Sequence, residues 1–219
     1  MKKVSVAIPL ALLLAALILN ACVPAVMVGG AVAGAYTASD RRTLSQQIDD
    51  KKLESMVERR IEENFGETIH VNANAFNGAL LLTGETPTAE LRTAFQKLIP
   101  TFPSTKRIID ETRQVPVSPA QWRLNDAAMT TKVKSRLANT EAFHIAHIKV
   151  ISEANDIFLM GRVTQTEANA AIDIARTTSG VNRVINVFEI TTEEALQREA
   201  EATEKKSDEK SPPADATKK

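Results

Sequence analysis

Cys22 is the only cysteine in this chain of 219 residues, and its setting is the most specific chemical signal in the sequence. Met1-Lys2-Lys3 is a short positive segment, Val4 to Leu19 is apolar apart from Ser5 and Pro9, and Ala21 puts a small residue directly ahead of the thiol. Charge, apolar run and small residue before a cut are the order of a secretory signal. A cysteine at that cut is placed for acylation, so Cys22 is the candidate lipidation site. A lone cysteine also rules out an intrachain disulfide, despite an oxidising compartment. Other chemistry is sparse. The histidines are His70, His144 and His147. His144-Ile-Ala-His147 has the spacing of a metal pair but no HExxH surroundings and no cysteine to help, so it reads as a surface loop. Gly29-Gly30 with Gly34 lacks the preceding strand and the Lys-Ser/Thr of a phosphate loop, and there is no Gly-x-Ser-x-Gly elbow. The expectation is a protein without catalytic residues, metal or cofactor, and without a small-molecule substrate.

Leu19-Asn20-Ala21-Cys22 resembles a lipobox (apolar, variable, small, Cys), with Asn20 an unusual second residue. On that reading residues 1–21 are a signal peptide and the mature chain starts at Cys22. Two alternatives stand beside it. The Ala/Gly/Val stretch after Cys22 would lengthen the apolar run into an uncleaved anchor, with Lys2 and Lys3 held inside. Or an ordinary signal releases a soluble protein. Lys+Arg and Asp+Glu are equal at 27 each, so loss of Lys2 and Lys3 leaves a net charge of −2. Nothing in that total suggests nucleic acid.

The remainder divides by composition into a tether at 22–44, two similar segments at 45–114 and 121–191, a linker at 115–120 with two prolines, and a charged tail at 192–219. The tail has no large apolar residue after Leu196, too little to offset its ordering entropy. It is expected to be disordered, apart from a helical extension over 193–204. The two segments are copies. Leu53, Val57 and Ile61 match Met129, Val133 and Leu137, each trio at the spacing of one helical face. Leu80, Leu82 and Gly84 match Ile157, Leu159 and Gly161, and Lys106-Arg-Ile-Ile109 matches Asn182-Arg-Val-Ile185. Each copy reads as helix, strand, strand, helix, strand, at about 49–64, 68–75, 79–85, 88–99 and 105–112, then at about 125–139, 145–152, 156–163, 165–178 and 182–191. Asn77-Gly78 and Asn155-Asp156 are placed as hairpin turns. Units this small are near the lower limit for an independent core, which favours their packing on one another.

Asp126 to Leu137, Asp156-Ile-Phe-Leu-Met-Gly-Arg-Val163, and Ala168 to Val187 with its Ser179-Gly-Val-Asn-Arg-Val sequence resemble the BON domain family. Copy one is a weaker match, with Phe102-Pro103-Ser104 where the family usually has Gly-Val. Lipobox plus two such units resembles the dual BON-domain outer-membrane lipoproteins. The resemblance implies an α+β fold: two tandem BON domains, each with a three-stranded mixed sheet and its helices packed on one face. It also implies a non-enzymatic envelope protein that preserves outer-membrane integrity, with phospholipid as a ligand. Val23 stands where an inner-membrane retention signal would put Asp, so the family's sorting rule points to the outer membrane, facing the periplasm.

Near-duplicates should differ where function lies. Asp49 to Asn64 carries a net charge of −2, whereas Gln121 to Thr140 carries +3; Glu54 and Glu58 are replaced by Thr130 and Lys134. An anionic lipid surface attracts each nearby basic residue by on the order of 1 kcal/mol. The expected phospholipid-binding residues are therefore Lys132, Lys134 and Arg136, with Trp122 just before the helix, since tryptophan favours membrane interfaces. The plainer alternatives are a solvated basic face, and a Trp122 that caps the core or fills the seam between domains. A rival functional reading makes the protein a scaffold for an outer-membrane assembly machine, with lipid contact incidental.

Overall fold

The computed structural model describes residues 40–102 and 105–210; Cys22, the signal segment 1–21 and the greater part of the 22–44 tether lie outside the described residues. The first repeat comprises α1 (Leu44–Phe65), β1 (His70–Phe76), β2 (Ala79–Glu85), α2 (Ala89–Leu98) and β3 (Arg107–Arg113). The second comprises α3 (Ala120–Ala138), β4 (Ile148–Glu153), β5 (Asp156–Val163), α4 (Gln165–Arg176), β6 (Arg183–Asn186) and β7 (Glu189–Ile190), and α5 (Glu193–Lys210) follows. In each repeat the middle strand pairs antiparallel with the strand before it and parallel with the strand after α2 or α4.

The helical trios enter the cores as their spacing requires. Leu53, Val57 and Ile61 of α1 pack with Leu80, Leu82 and Phe95, while Val133 and Leu137 of α3 pack with Ile157, Leu159 and the alanine face of α4. Gly84 and Gly161 recur for a steric reason. A Cβ on Gly84 would lie 2.0 Å from the carbonyl oxygen of His70, and one on Gly161 would lie 2.3 Å from that of His147.

The second face of each sheet meets its counterpart. Phe76 and Leu81 from the first repeat, with Phe158, Met160 and Val187 from the second, form a separate buried cluster that belongs to neither repeat alone. Leu80-Leu81-Leu82 and Ile157-Phe158-Leu159-Met160 carry this in sequence, because an unbroken apolar run marks a strand buried on both faces. The repeats are therefore halves of one packed body.

Several expectations are corrected. Helix α1 starts at Leu44, not near 49, because Thr43 and Gln46 form a capping box. The tether's last residues, Asp40 to Arg42, are bound into the fold. The second hairpin turns at Ala154-Asn155, with φ of 49° and 63°, and Asp156 already pairs with Glu153. The final strand of copy two is broken because Asn186 Oδ1 accepts the Phe188 N–H at 2.9 Å, so β6 and β7 pair with β5 on either side of Val187–Phe188. Beyond Glu204 the tail continues as helix to Lys210, favoured by acids in the first turn and fastened by Glu199 on Arg162.

Candidate functional site

Helix α3 begins five residues before the expected start of about 125, since Pro119 has a backbone set to lead into it and its carbonyl accepts the Trp122 N–H at 2.9 Å. Trp122 therefore sits in the first turn, not ahead of the helix. Asp126, one turn later, accepts from Ser152 Oγ and from the Asn155 N–H, both at 3.1 Å, and so pins α3 to the β4–β5 hairpin. Trp122 is 60 % exposed and Leu124 67 %, so neither is a core residue. Sequence reasoning missed Leu124; its signal was a large apolar residue off the Met129–Val133–Leu137 stripe.

Trp122 lines a cleft of about 600 Å³ walled by Val115, Val117 and Pro119 of the linker. Glu85, Asp126 and Glu153 also contribute to it. Each carboxylate has protein partners. Glu85 accepts from Ser118 N and Oγ, and Glu153 accepts from Asn72 and Thr83 across the seam. Burial, assisted by the charges of Asp126 and Glu85, raises Glu153 above the ordinary carboxylate range. Burial and the Arg123 guanidinium push nearby His70 down.

The three basic residues divide. Lys132 Nζ donates to the Ser179 carbonyl at 2.6 Å. Arg136 donates to the Ile174 carbonyl at 2.9 Å and to Thr178 Oγ1 at 2.7 Å. Both bind the C-terminal end of α4, where helix carbonyls carry partial negative charge. Lys134 is exposed on α3 away from that cap. The basic character of α3 is thus partly structural. So is the charge difference between the first helices: Glu54, replaced by Thr130 in the second copy, accepts from Lys149 Nζ across the seam.

His144 caps and His147 ends a short 3₁₀ turn, and His144 Nδ1 accepts the Ala146 N–H at 3.2 Å. Among the described residues no group of three or more His, Cys, Asp or Glu side chains is placed to hold a metal ion. Among them, too, no helix is long and apolar enough to cross a membrane.

The BON domain profile matches residues 49–116 and 125–192. The chain belongs to the BON domain family. It is 40 % identical over 182 residues to the outer membrane lipoprotein DolP of Haemophilus influenzae, covering 82 % of this chain and 94 % of that protein. It is 31 % identical over 151 residues to a protein named 21 kDa hemolysin from Actinobacillus pleuropneumoniae, covering 68 % of this chain and 78 % of that one. A solved structure of CdsD, a structural protein of the Chlamydia trachomatis type III secretion system, aligns with 68 % of this chain and 67 % of its own at 13 % identity; its TM-score of 0.28 supports no conclusion. The protein is a dual BON-domain outer-membrane lipoprotein of the DolP/YraP type, α+β in fold and lipid-anchored at the outer membrane.

Proposed function

We propose that this lipoprotein is a non-enzymatic envelope-integrity protein, acylated at Cys22, whose second BON domain contacts anionic phospholipid through α3. The observation that carries the reading is the pairing of Trp122 and Leu124, exposed in the first turn, with the basic residues further along the same helix. Aromatic and aliphatic side chains favour the interfacial region, while Lys134 and the heads of Lys132 and Arg136 meet headgroup phosphate. The contact is weak by itself, because the apolar stripe of α3 is spent on the domain core. The Cys22 anchor makes it effective by raising the local concentration of the domain at the membrane.

The test uses the chain from residue 22 with Cys22→Ser, so that no lipid is attached. It should sediment with phosphatidylglycerol vesicles, release as salt rises, and ignore phosphatidylcholine. Lys134→Glu should weaken binding by on the order of tenfold, and Trp122→Ala with Leu124→Ala should weaken it without removing the salt dependence. Equal sedimentation of wild type and both variants would retire lipid recognition by α3, and no sedimentation of wild type would leave the scaffold for an outer-membrane assembly machine.

A further inference from the structure

Arg41 precedes the first repeat in sequence, yet the second repeat holds it. Arg41 donates to both carboxylate oxygens of Glu167, at 2.7 and 2.8 Å, and to the Arg162 carbonyl at 2.9 Å. Two-pronged guanidinium–carboxylate pairs are among the stronger polar contacts, and this one is largely withdrawn from water, its side chains 19 % and 11 % exposed. Arg42 binds Asp40 and Asp50 and lies 3.9 Å over the Phe76 ring. Glu167 belongs to the first turn of α4, where its carboxylate also accepts the Thr164 N–H. The chain that leads back to Cys22 therefore leaves the body at the N-terminal end of α4.

Lys132 and Arg136 grip the other end of that helix, at Ile174, Thr178 and Ser179. Glu167 and Thr178 are about 16 Å apart along the helix axis. Strand β5 gives the same sense: Asn155, in the wall of the Trp122 cleft, and Arg162 are about 23 Å apart along the strand.

We propose that the Arg41–Glu167 clasp fixes the exit of the lipid-bearing chain at the end of α4 opposite the Trp122 cleft, so that residues 22–39 act as a spacer whose length decides whether Trp122 and α3 reach the membrane holding the lipid. The inference rests on the lipid reading above. Residues 22–39 extend at most about 60 Å, ample for the distance.

The clasp is tested first, without lipid. Trypsin should cut wild type after Arg41 on the order of tenfold more slowly than Glu167→Gln, a variant that keeps the helix cap because glutamine serves there too. Equal cutting would show that no clasp exists. For the spacer, the chain from residue 22 is coupled through its only cysteine to a maleimide lipid in phosphatidylglycerol vesicles, and its only tryptophan, Trp122, reports insertion by a blue shift. Full length should shift. Removal of residues 24–38 leaves a reach of about 10 Å and should abolish the shift while coupling persists. Adding Arg41→Gln and Arg42→Gln together to the shortened chain frees residues up to Thr43, about 13 Å more, and should restore part of it. An undiminished shift in the shortened chain overturns the inference and leaves the lipid reading standing. No shift at full length overturns both.

Discussion

The carboxylate of Glu54, in the first helix of the first repeat, accepts from the ammonium of Lys149, in the first strand of the second. The same carboxylate accepts the Ala75 N–H at 2.8 Å, and Lys51 Nζ donates to its other oxygen at 3.0 Å. Burial opposes the charge on Glu54, but the Lys149 ammonium and these hydrogen bonds outweigh it and hold the carboxyl below its usual range. One ion pair thus closes an edge of the first sheet and ties the repeats together.

Removing one partner of a buried pair leaves an uncompensated charge. Glu54→Ala should cost roughly 3 kcal/mol in urea unfolding, with β1 and β4 losing amide protection together. Because Phe76, Leu81, Phe158 and Met160 form a shared core, far-UV signals from both repeats should disappear in one transition. Two separate transitions would refute the shared core.

Glu153 has the opposite pH signature. Its folded-state pKa is raised, by burial first, so the folded protein binds its proton more tightly than the unfolded chain does. The resulting stability is fully present below the unfolded carboxyl value of about 4.3 and is lost as pH rises through the folded value. Glu153→Gln should therefore be more stable than wild type at neutral pH, and the gap should close in acid. Melting temperatures across that range decide it; a gap that widens in acid contradicts the assignment.

Ala154 occupies the left-handed region at φ 49°, where a Cβ costs roughly 1–2 kcal/mol. Asn77-Gly78 makes the equivalent turn of the first repeat with residues suited to it. Ala154→Gly should stabilise the protein by about 1 kcal/mol after glycine's greater unfolded-state entropy is counted. Unchanged or reduced stability would mean that the turn is not strained.

Arg136→Ala should cost about 1 kcal/mol by uncapping the C-terminal end of α4, whereas Lys134→Ala should fall within about 0.5 kcal/mol of wild type. Reversing all three basic residues together would therefore confuse lipid binding with stability. Lys134 is the position that separates them.

Much of the fold was legible in the residues. Spacings of four in Leu53–Val57–Ile61 and Met129–Val133–Leu137 report which helical face is apolar, and the recurrence of Gly84 as Gly161 marks the same close strand contact in both copies. Trp122 and the basic residues of α3 could be named from charge and residue type alone. Their surroundings could not. How far Trp122 was covered depended on what packed around the first turn of α3, and whether Arg136 was idle depended on α4 ending beside it.

The sequence by itself determined two α+β repeats, their apolar faces and a single cysteine behind a signal-like run. Only the tertiary structure decided that the second faces of the sheets close on each other, that Glu54 answers Lys149, and that Arg41 is held by Glu167. The reason is range. Periodicity and capping are local, set by neighbours three or four positions apart, whereas these contacts join residues distant in the chain, and the pattern of one segment does not specify which distant surface completes it.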